Sequence, residues 1–261
     1  MAAAGSGGAA GGLRRGAWRH ALRFVALLLL CGLALQIVFV GRIAAMAVLD
    51  PQSTTFQRSE AWRLLLAEGR IPWSQQWVPE ERLSKHLMRA VVASEDAGFF
   101  EHHGIDWEAV EEAWQRNRRA EARAEAAARR QPQRAPAAKL VGGSTITQQL
   151  AKNLLLSGER TVLRKAQEAL LALALEAWLP KRRILVIYLN SVEWGEGVFG
   201  AQAAARHYFR VDAAALAPWQ AARLAVMLPA PKRFEKRPGS PYLQSRTATI
   251  LARMGDVVLP P

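Results

Sequence analysis

The sequence has almost no cysteine: Cys31 is the only one. It lies inside the most apolar stretch. A disulfide framework and a cysteine-based zinc site are therefore excluded, and the cysteine-free remainder suits an oxidising compartment. No convincing period-2 alternation of strand type occurs, and no internal repeat, so the chain reads as mainly α. Acid is scarce beside base: 22 Asp and Glu stand against 35 Lys and Arg, a net charge of +13. That surplus favours anionic partners (nucleic acid, anionic lipid headgroups or phosphorylated substrates) without choosing among them. The Gly-x4-Gly-Lys spacing of a phosphate-binding loop is missing. Proline and glycine are too few for disorder throughout. At 261 residues, half of them apolar, the chain is long enough for one sizeable domain plus a small extra segment.

What is present begins with an apolar run. After a tail of Ala, Gly and Ser come Arg14, Arg15, Arg19 and Arg23, and then Phe24 to Gly41 without a charge. The apolar character resumes after Arg42 as far as Leu49. A bilayer core needs roughly 20 apolar residues, with a lower limit of about 17. The arginines before the run place the N-terminus in the cytoplasm and everything after residue 50 outside. A cleaved signal peptide is the competing reading, with Ala45-Met46-Ala47 as its cleavage site; the length of the run favours an uncleaved anchor. The organisation expected is a cytoplasmic tail at 1–23, a transmembrane helix at 24–45, a Trp-rich membrane-proximal segment at 46–80 and a domain at 81–255.

Three stretches in that domain carry chemistry. Glu95-Asp96-Ala97-Gly98-Phe99-Phe100-Glu101-His102-His103-Gly104 follows an apolar helix predicted from Lys85 to about Ser94. A carboxylate placed where a helix ends against aromatic rings has its pKa raised by desolvation, which suits a general acid or base. The same stretch also reads as a polar turn capping a helix, and its composition leaves the two level. Gly142-Gly143-Ser144-Thr145-Ile146-Thr147-Gln148-Gln149 opens a second helix, with Ser144 or Thr145 as its cap. On it Gln148 and Lys152, and Gln149 and Asn153, stand one turn apart. Backbone N–H groups, a helix N-terminus and a lysine make an anion site; alone, the stretch reads equally as a capped helix with a wet polar face. Thr161 to Leu179 is the third, apolar all round from Ala169 to Leu175 and so predicted to be the central buried helix. Arg164, Lys165 and Glu168 lie at its polar start. Between the first two stretches, Asp106 caps a helix predicted over Trp107 to about Arg119, and 119–138 reads as a solvated, charged loop.

Together these residues resemble the monofunctional peptidoglycan glycosyltransferases of glycosyltransferase family 51, relatives of the glycosyltransferase domain of class A penicillin-binding proteins. Five blocks occur in the family's order: Glu95-Asp96-x-x-Phe99-x-x-His102-x-Gly104; Gly142 to Gln149 with Lys152-Asn153; Arg164-Lys165-x-x-Glu168; Arg183-Ile184-Leu185 through Tyr188-Leu189-Asn190; and the Gly195 to Gly200 loop with Ala203-Ala204 and Tyr208-Phe209. The resemblance spans about Pro51 to Leu251. It implies a lysozyme-like helical domain with a smaller membrane-side lobe, following a single N-terminal transmembrane helix. It implies polymerisation of lipid II into β-1,4-linked glycan, with undecaprenyl pyrophosphate released and the anomeric carbon inverted.

Carried over by motif, Glu95 is the general base and Glu168 the second acidic residue of the cleft. Lys152, Arg164 and Lys165 line the pyrophosphate region, and Ser144, Thr145, Gln148, Gln149 and Asn153 shape the cleft and bond sugar or phosphate oxygens. Asp96, Phe99, His102 and Gly104 support the first block, with His102 fixing the turn rather than moving a proton. No cofactor is obligatory; the metal site is unknown, and a divalent cation near the donor pyrophosphate is one role for Glu168. Partners expected are lipid II, the undecaprenyl-pyrophosphate-linked glycan, the membrane and other cell-wall or division proteins, but not nucleic acid. The place implied is the bacterial cytoplasmic (inner) membrane with the domain in the periplasm. Ser-x-x-Lys and Lys-Thr-Gly are absent and few residues follow 251, so no cross-linking activity is expected. Two departures stand out: the long charged stretch at 119–138, and Val186 where many members carry Glu.

Two other readings compete. A lytic, lysozyme-like enzyme has no need of Lys152, Arg164 and Lys165 beside its acid, because it must protonate an alkoxide rather than neutralise a departing pyrophosphate. A silent scaffold has no need to keep Glu95 or the Arg-Lys-x-x-Glu block.

Overall fold

The computed structural model describes residues 8–130, 142–159 and 161–260, with side chains from Trp18 onward. The fold is mainly helical. Helix α1 (Gly8–Ala45) is followed by α2 (Thr55–Glu68), strand β1 (Ser74–Gln75), α3 (Lys85–Glu95), α4 (Trp107–Arg130), α5 (Ile146–Leu155), α6 (Val162–Trp178) and α7 (Lys181–Ser191). Strands β2 (Glu193–Gly195) and β3 (Val198–Phe199) form a hairpin, and α8 (Ala201–Phe209), α9 (Pro218–Met227), α10 (Pro231–Glu235) and α11 (Pro241–Arg253) complete the chain. The three strands, too short to announce themselves by alternation, form one sheet in the order β1-β3-β2, with β1 parallel and β2 antiparallel to β3.

Helix α1 holds a stretch, Trp18–Ala45, of 28 residues and mean hydropathy 2.6, long and apolar enough to cross a membrane. It starts earlier than expected, inside the Ala/Gly tail; residues 1–7 lie outside the described residues. Its C-terminal end is not a loose tether. Ile43 and Met46 are buried in the domain core, and Gln36 and Gln167 of α6 exchange two amide hydrogen bonds of 2.9 Å. Arg183, at the start of α7, donates to the carbonyls of Met46 (2.8 Å) and Leu49 (2.9 Å) and pairs with Asp50.

The helices form two groups. One packs α3, α9 and α11 together; the other packs α5, α6 and α7, with α1 on α6 and α2 on α5. The central buried helix is α7, whose residues from Ile184 to Ser191 are all buried. This corrects the expectation for α6: Leu171, Ala172 and Leu175 are buried, but Leu170 and Leu173 are exposed, as are Val162 (89%) and Leu163 (81%). Apolarity all round thus did not bring a second protein layer among the described residues. The charged stretch after Arg119 is likewise corrected in its first part, because α4 continues to Arg130; Ala, Arg and Glu are good helix formers, so low apolarity there signalled solvation rather than a loop. Residues 131–138 lie outside the described residues. Helix α2 begins at Thr55, on a capping box in which Gln57 N–H donates to Thr54 Oγ1 and Thr54 N–H to Gln57 Oε1. Val186 is buried in α7, part of the core.

Candidate active site

The site is built at the seam where the C-terminus of α3 meets the N-terminus of α5. Ser84 caps α3, and Leu87, Met88, Ala90, Val91 and Val92 anchor it in the core. That fixes where its last residue, Glu95, emerges. The next residue, Asp96, ends the helix and is buried. Its carboxylate accepts from Ile146 N–H (2.9 Å), at the first turn of α5, and from His102 Nε2 (3.0 Å). His102 Nδ1 accepts from Gly104 N–H (3.1 Å), which puts the ring proton on Nε2, pointing at Asp96. Gly104 C=O in turn accepts from Thr145 Oγ1 (2.6 Å). The loop from Asp96 to Thr145 is thus closed by hydrogen bonds that tie the first block to the second.

Gly104 has φ +87°, and a Cβ there lies 3.1 Å from Glu176 Cγ and 3.2 Å from the Ala172 carbonyl. Gly104→Ala is expected to cost about 1–3 kcal/mol and to lower the melting temperature by several degrees, measured by differential scanning fluorimetry in detergent. A melting temperature equal to wild type would mean that this turn is not held as tightly as its contacts imply. Phe99 is fully buried beneath it, with Lys181 Nζ 4.5 Å from its ring centroid.

Glu95 is half-buried, and its Oε2 accepts from Gln149 Nε2 (3.1 Å); Gln149 Oε1 accepts from Tyr188 O–H (2.9 Å). Burial pushes the Glu95 carboxyl above the ordinary carboxylate range, Gln149 opposes the rise, and the charge of Asp96 adds to it. Burial also pushes the Tyr188 hydroxyl up, so it remains a donor and holds Gln149 with its amide N–H toward Glu95. Glu95 and Asp96 open on a cleft of about 240 Å³, lined on the far side by Arg116 of α4 and by Gly142 to Thr145.

Ser144 connects this cleft to the third block. Lys165 Nζ donates to Ser144 Oγ (3.0 Å) and also to Glu168 Oε1, while Arg164 Nη1 donates to Glu168 Oε2 (2.7 Å). Glu168 is buried at the first turns of α6, which Thr161 caps. Arg164 Nε is buried without a hydrogen-bond partner. Two cations around one buried carboxylate leave a net positive charge next to the serine that lines the Glu95 cleft. With both oxygens of Glu168 so occupied, the donor set does not fit a divalent ion as it stands. Among the described residues no group of three or more His, Cys, Asp and Glu is placed to hold one.

The structure thus brings together Glu95, Asp96, Phe99, His102, Gly104, Ser144, Gln149, Arg164, Lys165 and Glu168. Lys152 is exposed and Asn153 half-buried on α5. Thr145 and Gln148 are both buried in a capping box, Gln148 N–H donating to Thr145 Oγ1 and Thr145 N–H to Gln148 Oε1, so they hold the helix N-terminus in place, with Thr145 in the cleft wall. Sequence reasoning missed Arg116, whose position on a charged helix carries no signal of its own. It also missed the part played by Tyr188, which stood in the fourth block without a role. Asn190 of that block bonds the Val78 backbone at both N–H and C=O.

The fifth block lies elsewhere, and just before it Glu193 is buried beside Lys232 (3.1 Å), which also pairs with Glu60. Burial raises its carboxyl to about 7, against Lys232. A carboxyl raised in the folded state stabilises the fold below its unfolded pKa and loses that contribution as pH climbs from the ordinary 4.5 to about 7. Glu193→Gln, which mimics the protonated form, is expected to stabilise the protein at pH 8 by about 2–3 kcal/mol, and by less than half of that at pH 5.5. Thermal melts at the two pH values check this; an equal shift at both sinks it.

Comparison with known proteins agrees with this geometry. Residues 66–255 match the model of the family described as Transglycosylase. The biosynthetic peptidoglycan transglycosylase of Burkholderia thailandensis is 46% identical over 251 residues, 96% of this chain and 86% of that protein. The protein of the same name from Bordetella pertussis is 46% identical over 248 residues, 95% and 98% of the two chains, and that of Paraburkholderia xenovorans 45% identical over 229 residues, 87% and 88%. A carboxylate raised by burial, joined through one serine to a cationic block, on a chain matched over most of its length by these relatives, leaves one assignment: the chain belongs to the transglycosylase family.

Proposed function

We propose that the chain polymerises lipid II into β-1,4-linked glycan in cell-wall synthesis, by inverting transfer from a lipid pyrophosphate donor. Glu95 takes the proton from the 4-hydroxyl of the acceptor sugar. The freed oxygen attacks the anomeric carbon of the donor, the bond from that carbon to the pyrophosphate oxygen breaks, and its electron pair leaves with the pyrophosphate. A pyrophosphate needs cations, not a proton donor, to depart. Lys165 and Arg164 supply that charge, with Lys152 further along α5, and Glu168 holds the first two in place. Asp96 and His102 position the loop; Gln149, set by Tyr188, positions Glu95. Ser144 and Asn153 bond sugar or phosphate oxygens. No step requires a divalent ion.

The observation that carries this reading is the bond from Lys165 to Ser144, because it places the cationic block at the edge of the cleft that holds the raised carboxylate. The membrane setting is supported by α1 and by the apolar face that α6 leaves uncovered beside it. With Arg14, Arg15, Arg19 and Arg23 before the apolar run and only Arg42 close to its far end, the N-terminus is cytoplasmic and the catalytic domain, residues 81–255, stands on the outer side of the inner membrane. The test is incubation of the purified full chain, in detergent, with labelled lipid II and separation of products by length. Polymer is the expected result. Shortening of preformed glycan with lipid II left untouched would overturn the proposal.

A further inference from the structure

Glu101 is the third acid of the first block, and the reaction above makes no use of it. It lines a second and larger cavity, of about 630 Å³, on the other side of the same turn. Ala97 lines both cavities, so the two adjoin at the 97–101 turn. The remaining walls are Ala93 and Phe100, Arg253 at the end of α11, and the segment after it with Asp256, Val257 and Val258. That segment is folded onto the domain: Val257 and Leu259 pack against the core, and Pro260 C=O accepts from Arg182 Nη1 (2.7 Å). Residues 256–260 fall outside the family match, which ends at 255.

Helix α11 relates the cavity to the reacting centre. Arg246 is close enough for its charge to act on Glu95. Arg253 is two turns further along nearly the same face of α11, about 10 Å away along the axis. A substrate with its hydroxyl at Glu95 therefore has this cavity within the reach of a side branch. The lining is mainly apolar, with the small or branched side chains of Ala93, Ala97, Val257 and Val258, the ring of Phe100 and Pro260, and it carries one cation and two acids. A sugar subsite calls for amides beside its ring, and no Asn or Gln lines this cavity; a polyanion subsite calls for several cations, and only Arg253 is here. Small apolar walls with both signs of charge fit a short peptide that has methyl side chains, a carboxylate and an ammonium group.

We infer that this cavity binds the peptide branch of the glycan substrate, Arg253 taking its carboxylate and Glu101 and Asp256 its ammonium group. The inference rests on the proposed function, because it assigns a further part of the same substrate. Two measurements on the full chain in detergent test it. The first compares kcat/KM for lipid II carrying its whole peptide with that for lipid II trimmed to the first peptide residue. The wild type is expected to prefer the whole peptide by about 10-fold, and Arg253→Gln and the double variant Glu101→Gln/Asp256→Asn to lose that preference. An equal loss on both substrates, or an unchanged preference, overturns the inference. The second is calorimetric binding of a lipid-free disaccharide-peptide against the disaccharide alone, expected to favour the peptide-bearing compound only when Arg253 is present. If the wild type makes no polymer yet shows that preference, the proposed function falls and the cavity assignment stands. If it polymerises both substrates alike and shows no binding preference, the cavity assignment falls alone. Tighter binding of the peptide-free disaccharide marks a sugar subsite and overturns it as well.

Discussion

Glu95→Gln is expected to lower kcat/KM for glycan polymerisation by about 10³-fold, within the range for loss of a positioned general base, and to leave the fold intact. The amide replaces the carboxylate with little change in shape, and its oxygen still accepts from Gln149 Nε2, which Tyr188 continues to orient. Because burial holds the Glu95 carboxyl above its ordinary range, the neutral amide removes a folding penalty at pH 8, and the melting temperature is expected to stay level or rise. The wild type carries the matching signature in its pH profile. A base must be deprotonated to act, so kcat/KM falls as pH drops through the raised pKa, at a pH above that of an ordinary glutamate. Polymer assays across pH and thermal melts of both proteins measure these effects. A folded variant that polymerises at the wild-type rate would remove Glu95 from the reaction.

The second large effect belongs to Glu168. Glu168→Gln leaves Arg164 largely buried with no carboxylate opposite it, and breaking such a pair on one side costs about 3 kcal/mol. Lys165 is half-exposed and adds little to that figure. The rate should fall further than the stability implies, by about 10²-fold, because Lys165 loses the anchor that holds it against Ser144. Melts and polymer assays at a temperature where the variant is folded separate the two. Wild-type rate in a folded Glu168→Gln protein would show that the cationic block does not need its carboxylate.

Much of this site was legible in the sequence because it is written in local terms. A helix C-terminus carrying Glu95, a capped N-terminus at Thr145, and a carboxylate one turn after Arg164 all follow from spacing. The same spacing did not show that Gln148 completes a capping box with Thr145: a capping box and a polar ligand set use the same residue types, and burial tells them apart. Helix α6 was misplaced for a related reason. Apolarity along a helix does not say which of its faces the protein covers, and here Leu170 and Leu173 are exposed. Arg116, Tyr188 and Arg246 reach the site from helices far along the chain, and no pairing between distant helices is encoded in either one's pattern. Helix α2 was within reach, since Thr54-Thr55-Phe56-Gln57 is a capping box in plain sight.

The seating of α1 has a mechanical meaning. Gln36 locked to Gln167, and Arg183 holding the carbonyls of Met46 and Leu49, leave no swivel between the membrane-spanning helix and the domain. The depth at which α1 settles in the bilayer therefore sets the height and the heading of the cleft above it. An enzyme mounted in this way does not lean over to meet its substrate. Each new unit has to arrive at one altitude, and the finished strand has to be fed away past a fixed point, as thread passes a needle clamped in its machine.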